Sequence, residues 1–208
     1  MDGPILSARA LTARRGGRLV FADLGFAVDR GEALVLLGRN GSGKSTLLRL
    51  LAGLARAAAG TIAWDGAPID DDLDTHRRRV GYVGALDALK PALTVTENLA
   101  LARALKGLPR DESALADALE TFDLAALARL PARFLSQGQR RRATLARLVA
   151  APMPLWLLDE PTIALDVPSI DRLAAAIASH IARGGCLVAA THVALPLGAH
   201  QQLRLGEE

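Results

Sequence analysis

One segment, residues 33–54, constrains the fold of this chain more than any other. It begins with five consecutive apolar residues at 33–37, continues through a glycine-rich loop, and passes into a helical pattern. An apolar run without alternation indicates a strand buried on both faces, as in a parallel sheet covered by helices. Two further runs of this kind, at residues 155–158 and 187–190, also end at polar turns. The chain is therefore predicted to be α/β, with a doubly wound, mostly parallel sheet.

The glycine-rich loop fits the pattern G-x-x-x-x-G-K-[ST]. Its glycines allow backbone N–H groups to turn inward around a polyphosphate, and the next helix directs its positive end at the same anion. We expect Lys44 to bridge the β- and γ-phosphates and the Ser45 hydroxyl to ligate Mg²⁺. The alternative is a glycine-rich turn that matches by chance, which the strand–loop–helix setting disfavours. The predicted nucleotide-binding residues are Gly38, Arg39, Asn40, Gly41, Ser42, Gly43, Lys44, Ser45 and Thr46.

Two acidic residues, Asp159 and Glu160, close the second apolar run. In a P-loop sheet the acid at the strand end holds the Mg²⁺ shell, which is the role expected of Asp159. Glu160 can face the γ-phosphate and polarise water as a general base. The alternative is a pair of helix-capping acids, but the strand is expected to end at the same sheet edge as the glycine-rich loop. These two residues and Lys44 are therefore the predicted catalytic and metal-binding residues.

The remaining segments predict two additions to the parallel sheet. Short strand patterns at residues 18–21, 24–28 and 61–64, separated by Gly and Asp, indicate a small antiparallel β layer. Residues 94–151 carry almost only helix signals and begin with a capping box, Thr94-Val95-Thr96-Glu97. We expect one nucleotide-binding domain over residues 1–208, with a core at about 1–85 and 152–208 and an inserted helical lobe at about 86–151.

Composition argues against several other classes of protein. The 208 residues suffice for one large domain, and half of them are hydrophobic. The net charge of +3 is spread along the chain, whereas a protein that binds nucleic acid concentrates its basic residues on one face. Cys186 is the only cysteine, so the chain can form neither an intrachain disulfide nor a thiolate metal cluster. Since we find no secretory signal and no apolar run of roughly 20 residues, we expect a soluble protein that reaches a membrane only through a partner.

Three further motifs point to one family. Residues 135–139 read Leu-Ser-Gln-Gly-Gln and begin a helical pattern, with Ser136 as its natural N-cap. They resemble the L-S-G-G-Q signature of ABC ATPases, with Gln137 in place of the first glycine. Residues 161–166 resemble the D-loop of that family, and His192 matches its switch histidine after the next strand. Each motif alone is weak evidence for a family, and a lone histidine is structural by default. Taken together, in this order and in these structural settings, the motifs resemble those of an ABC ATPase.

The resemblance to ABC ATPases implies a mechanism. In that family two nucleotide domains close head to tail around two ATP molecules, so one domain in this chain implies a homodimer or a paired nucleotide domain. The signature residues Ser136, Gly138 and Gln139, together with Asp166, would then act on the nucleotide of the partner domain. The implied cofactors are ATP and Mg²⁺, with His192 acting beside Glu160 in hydrolysis.

Within this family the chain is similar in particular to the ATP-binding subunits of the haem-export system of cytochrome c maturation. Residues 89–95, 130–133 and 139–142 carry that resemblance. Ala85 occupies the slot in which most ABC ATPases have a glutamine that senses the γ-phosphate, and the narrower family tends to lack this glutamine too. The resemblance implies integral membrane partner subunits, no nucleic-acid partner, and a peripheral position on the cytoplasmic side of the bacterial inner membrane.

The sequence leaves several interpretations open. Arg15 maps near the tyrosine that stacks on adenine in ABC ATPases, and its guanidinium can stack on a base or point into water. We expect the arginines at residues 77–79 to form a solvated face, and those at residues 140–142 to line the outer side of the signature helix. The functional alternatives are an ABC exporter of other cargo and a soluble ABC-like ATPase acting on nucleic acid.

Overall fold

The computed structural model describes residues 4–192 and 196–206, which form two β sheets and six α-helices. Among these residues no helix is both long and apolar enough to cross a bilayer. The strands are β1 Leu6–Arg15, β2 Arg18–Val28, β3 Ala33–Leu37, β4 Ala59–Trp64, β5 Ala67–Pro68, β6 Val80–Val83, β7 Leu155–Asp159, β8 Cys186–Ala190 and β9 Gln201–Arg204. The helices are α1 Lys44–Leu51, α2 Leu73–Arg78, α3 Val95–Leu105, α4 Glu112–Thr121, α5 Gln137–Ala150 and α6 Val167–Ala182.

The larger sheet has the strand order β6-β7-β8-β3-β9, and all of its neighbouring strands are parallel. The three apolar runs found in the sequence form β3, β7 and β8, and every residue of these strands except Leu37 is buried. The predicted parallel sheet is therefore confirmed. Because the strands are parallel, the loops that follow them leave the sheet at one edge.

The smaller sheet has the order β2-β1-β4-β5 and is antiparallel, as predicted. Two details of the prediction were wrong. Residues 18–21 and 24–28 belong to one strand, β2, which is irregular where Asp23 takes a positive φ of 51°. The long strand β1 was missed, because its buried residues are interrupted by exposed ones and its pairing with β4 comes from a distant part of the chain.

The parallel sheet separates two hydrophobic clusters, one on each face. Successive residues of a strand point to opposite faces, and β7 shows this alternation directly. Leu155 and Leu157 pack with α1 and the antiparallel sheet, whereas Trp156 and Leu158 pack with α3, α4, α5 and α6. Apolar residues on both faces are therefore required, which explains why the run in the sequence is continuous.

Helices α3, α4 and α5 lie between β6 and β7 in the chain and pack on one another. The predicted capping box at Thr94 is confirmed, since its hydroxyl accepts from the Glu97 N–H and the Glu97 carboxylate accepts from the Thr94 N–H. Ser136 is confirmed as the N-cap of α5, with Gln139 completing a second capping box. The boundaries proposed for a helical lobe, residues 86 and 151, stay a prediction.

A buried amide on α3 holds the chain segment that precedes this helix. The side chain of Asn98 is 3% exposed. Its Oδ1 accepts from the Lys90 N–H at 2.7 Å, and its Nδ2 donates to the carbonyls of Lys90 at 3.2 Å and Leu93 at 3.1 Å. One side chain therefore contacts three backbone groups of this segment, and the Lys90 and Leu93 carbonyls also accept from the N–H groups of Leu93 and Ala132.

Replacing Asn98 by alanine should lower the free energy of unfolding by about 2 kcal/mol, because the hydrogen bonds of this buried amide are lost, including the one from the Lys90 N–H. Urea denaturation, followed by circular dichroism, measures this loss. The control is Glu120→Ala, which removes an exposed side chain from α4 and should change the free energy by no more than about 0.5 kcal/mol. Equal stability of the two variants would contradict the structural role of Asn98.

Candidate functional site

The glycine-rich loop joins β3 to α1, and its glycines are required by its geometry. Gly43 is the N-cap of α1 with φ 105°, and a Cβ there would lie 2.6 Å from a methyl carbon of Val20. Gly43 offers no side chain to cap the helix, so the N–H groups of the first turn remain directed outward. The start of α1 is therefore built to receive an anion.

The segment that follows β9 packs against the start of the glycine-rich loop. Gly38 has φ 140°, and a Cβ at this position would lie 2.4 Å from the Leu205 carbonyl oxygen. The Leu205 N–H in turn donates to the Leu37 carbonyl at 2.9 Å, which extends the pairing of β9 with β3. The loop is thus held between the end of β3 and the segment that follows β9.

The ammonium group of Lys44 turns back over the loop. It donates to the carbonyl of Gly38 at 2.6 Å and to that of Arg39 at 3.1 Å, and the residue is 6% exposed. This arrangement places a positive charge at the helix N-terminus and fixes it by the main chain of the loop. The Lys44 ammonium group and the free N–H groups of the first turn together create a positive potential at the N-terminus of α1.

A cavity of about 460 Å³ lies in front of this loop. It is where the structure brings most of the predicted site residues together. Val20 and Ile163 also line it, although the sequence analysis did not identify them as site residues. The lining residues are Arg15, Val20, Asn40, Gly41, Gly43, Lys44, Ser45, Thr46, Asp159, Glu160, Ile163 and His192.

Glu160 and His192 form a pair at the edge of the cavity. The His192 Nδ1 lies 3.0 Å from the Glu160 Oε1, with the Glu160 side chain 13% exposed and the His192 side chain 51% exposed. Burial raises the pKa of the Glu160 carboxyl, and the neighbouring His192 and Lys44 offset part of that rise. A carboxylate with a raised pKa and a fixed orientation is suited to accept a proton near neutral pH.

Two oxygen-bearing side chains could hold a metal ion in the cavity. Asp159 ends β7 and is 5% exposed, and Ser45 lies in the first turn of α1. Mg²⁺ is commonly bound by one or two protein oxygens together with substrate phosphates, so this pair fits a metal that arrives with a nucleotide. No cluster of three or more His, Cys, Asp or Glu side chains capable of holding a metal occurs within residues 4–192 and 196–206.

The other predicted binding residues do not line this cavity. Gly38, Arg39 and Ser42 belong to the loop but not to the cavity lining, and the Ser42 hydroxyl is buried. Asp166 is the N-cap of α6, where its carboxylate accepts from the Ser169 N–H at 3.1 Å. Ser136, Gly138 and Gln139 lie at the start of α5 and also do not line it. In a single copy of the chain, the signature motif therefore does not reach the cavity in front of the glycine-rich loop, called the phosphate loop below.

The expectation for residues 140–142 was wrong for Arg141. This residue is 3% exposed and lies beneath the end of β7, with its guanidinium donating to backbone carbonyls. The helical period contained a signal for this, because Arg141 shares a helix face with the buried residues Leu145 and Leu148. At residues 77–79, by contrast, Arg77 and Arg78 are exposed, as expected, and Arg79 is half-buried.

Comparison with known proteins gives consistent results. The family model for ABC transporters matches residues 21–163. The chain is 49% identical to the cytochrome c biogenesis ATP-binding export protein CcmA of Paramagnetospirillum magneticum over its full length, covering 96% of that protein. It is 50% identical to the protein of the same name from Rhodopseudomonas palustris, over 97% of this chain and 98% of the relative.

Solved structures agree with the sequence relatives. The ATP-binding subunit of an ABC transporter superposes with a TM-score of 0.84 at 30% identity, covering 91% of this chain and 80% of that one. An ATP-binding cassette protein, solved as a dimer in a post-hydrolysis state with ADP and phosphate, superposes with a TM-score of 0.81 at 27% identity, covering 90% and 88%. By its sequence, its fold and the motifs around its cavity, this chain belongs to the ABC transporter family and, within it, to the cytochrome c biogenesis ATP-binding export proteins.

Proposed function

We propose that this chain hydrolyses ATP with Mg²⁺ as the nucleotide-binding subunit of an ABC complex of the haem-export type in cytochrome c maturation. The observation that carries the ATPase activity is the convergence of the phosphate loop, Asp159 and the Glu160–His192 pair on one cavity. The names of the relatives, which are cytochrome c biogenesis ATP-binding export proteins, support the assignment to this pathway.

The chain binds the substrate mainly through its polyphosphate. The outward N–H groups of the first turn of α1 and the ammonium group of Lys44 supply donors and positive charge at one point. A phosphate oxygen would accept a hydrogen bond from the Lys44 ammonium group, either in place of the loop carbonyls or together with them. On the base side, Arg15 and Val20 line the cavity, and we propose that the Arg15 guanidinium stacks on the adenine.

Ser45 and Asp159 would hold Mg²⁺, since both side chains line the cavity and both carry oxygen ligands. When bound, the ion would neutralise charge on the terminal phosphates and so ease attack by water. Asp159 is buried at the end of β7. The protein therefore supplies a buried acid and a hydroxyl, and the phosphates supply the rest of the ligand shell.

Glu160 acts as the general base in this proposal. Its carboxylate accepts a proton from the attacking water, and its raised pKa makes it a stronger base than an exposed glutamate. The contact between His192 Nδ1 and Glu160 Oε1 orients the carboxylate. The exposed position of His192 also leaves it able to contact the terminal phosphate.

We further propose that two copies close head to tail, so that Ser136, Gly138, Gln139 and Asp166 complete the site of the other copy. Three observations support this dimer. The signature motif lies apart from its own cavity, and Ser136 is exposed at the N-terminus of α5. Exposed apolar side chains, Ile163 and Val167, lie on either side of Asp166, and a related cassette protein was solved as a dimer with ADP and phosphate.

We propose that other subunits of the complex cross the membrane. A protein of an export complex must act on something that crosses a bilayer, and none of the described helices could do so. From the family and the names of the relatives, we propose that the chain binds integral membrane subunits on the cytoplasmic side of the bacterial inner membrane. The division into a core at about 1–85 and 152–208 and a helical lobe at about 86–151 belongs to this proposal.

Replacing Lys44 by alanine should weaken ATP binding by about tenfold to a hundredfold, because a charge-assisted hydrogen bond to phosphate is lost. Isothermal titration calorimetry with a non-hydrolysable ATP analogue measures the affinity. Arg49→Ala is the matched control, since it removes an exposed cation from the same helix outside the cavity. Undiminished affinity in Lys44→Ala would argue against the phosphate site.

Replacing Glu160 by glutamine should reduce turnover by at least about a hundredfold while ATP binding persists, because only the proton acceptor is removed. Phosphate release measures turnover, and light scattering after gel filtration should detect an ATP-dependent dimer. The control Glu120→Gln neutralises an exposed carboxylate far from the cavity and should hydrolyse ATP normally. Turnover near the wild-type rate would show that Glu160 is not the base.

Replacing His192 by asparagine should move the acid limb of the kcat profile to higher pH. The base works deprotonated, so activity is lost as the pH falls through the pKa of Glu160, and His192 lowers that pKa. Without the imidazole the pKa rises further, and the loss begins at higher pH. The control is His200→Asn, which changes an exposed histidine outside the cavity. A limb that stays in place or moves to lower pH would contradict this role for His192.

A further inference from the structure

Four backbone carbonyl groups converge beneath the candidate site, at the end of β7 and in the segment after β6. The guanidinium of Arg141 donates to all four. Its Nη1 donates to Gly84 at 2.8 Å, its Nη2 to Asp159 at 3.1 Å and Glu160 at 2.7 Å, and its Nε to Pro161 at 3.2 Å. One side chain of α5 therefore holds the main chain at the two acidic residues and directly after them, and joins it to the segment after β6.

The contact is buried and depends on the shape of the guanidinium. The Arg141 side chain is 4% exposed, and its closest carboxylate, that of Asp87, lies 3.9 Å away. Burial lowers the pKa of Arg141, and the negative charges of Asp87, Asp159 and Glu160 act in the opposite direction. A guanidinium presents five N–H donors in a planar fork, whereas a lysine presents three from a single point, so lysine could satisfy only part of the cluster.

The main chain of Glu160 needs such support because it is strained. Its φ is 47°, in the left-handed region, which costs a residue with a side chain about 1–2 kcal/mol. The Glu160 N–H donates to the Ala190 carbonyl at 2.8 Å, and the Glu160 carbonyl accepts from Arg141 on the other side. The direction of the carboxylate toward His192 depends on this conformation, since a side chain follows its own φ and ψ.

We propose that Arg141 is a positioning residue for ATP hydrolysis, which holds the Glu160 main chain so that its carboxylate points into the cavity. This proposal rests on the proposed role of Glu160 as the base. Arg141 itself does not line the cavity and acts only through the carbonyl groups that it contacts. Its loss should therefore disturb the chemical step more than nucleotide binding, because the phosphate loop has its own supports in Lys44 and Leu205.

The test compares Arg141→Lys and Arg141→Gln with the wild-type full chain. We expect kcat to fall about tenfold in the lysine variant and about a hundredfold in the glutamine variant, because small displacements of a catalytic group have effects of this size. The affinity for ATP should stay within about twofold of wild type. Rates are expressed per molecule that binds ATP, so that loss of folded protein does not count as loss of turnover.

The matched control is Arg142→Gln. Arg142 lies on the same helix, and its guanidinium donates to the carbonyls of Phe122 and Asp123 and to the Asp123 carboxylate, away from the cavity. Its kcat should stay within about twofold of wild type. An equal fall in kcat for Arg142→Gln and Arg141→Gln would overturn the proposal, because the effect would then belong to the helix as a whole.

A double-variant comparison separates positioning from a general structural role. In single-turnover reactions, Arg141→Lys added to Glu160→Gln should leave the residual rate within about twofold, because the group that Arg141 positions is already absent. The proposal would be overturned if the effects of Arg141→Lys and Glu160→Gln on the rate multiplied in the double variant. It would also be overturned if the Arg141 variants lost kcat and ATP affinity in parallel, or if Arg141→Lys kept the wild-type kcat. The absence of any variant molecules that bind ATP would overturn it as well. If Glu160→Gln alone keeps the wild-type rate, the role of Glu160 fails instead.

Discussion

The parallel pairing of β3, β8 and β7 is the constraint on which the rest of the site depends. The register places Leu36 and Asp159 opposite the same residue, Ala190, so the three strands end at nearly one level. Because parallel strands release their loops at one edge, the phosphate loop, Glu160 and His192 meet there although they lie far apart in the sequence. The continuous apolar character of these strands follows from the same arrangement, since helices or the second sheet cover both faces.

Backbone groups hold the charged side chains of this edge in place. The first turn of α1 supplies N–H donors, and the loop carbonyls of Gly38 and Arg39 hold the charge of Lys44. On the opposite wall, the carbonyls around Asp159 and Glu160 are paired by Arg141. Burial raises the pKa of Glu160, so the same low-dielectric surroundings that favour phosphate recognition would also strengthen the proposed base.

Helix α5 joins the signature motif to the support of Glu160. Its N-terminus carries the signature motif in a capping box, and its buried face carries Arg141. Gly138 lies close to the residues after Glu160, because a Cβ at this position would be 3.0 Å from the Ala164 carbonyl oxygen. In the proposed head-to-tail dimer, the helix that contacts the nucleotide of one copy also supports the base of its own copy.

The sequence by itself determined the parallel strands, the phosphate loop and the capped starts of α3 and α5, because each depends on residues close together in the chain. It also proposed Asp159, Glu160 and His192 as site residues, from their positions after predicted strands and from family resemblance, and the fold brings all three to one cavity. Strand β1 and the hydrogen-bond partners of Arg141 were decided only in the tertiary structure, because both depend on partners distant in the sequence. The helical period indicates that Arg141 faces the core, but only the fold shows that it meets the carbonyls of Gly84 and Pro161 there. The need for hydrogen-bond donors at a buried strand end is a property of the fold.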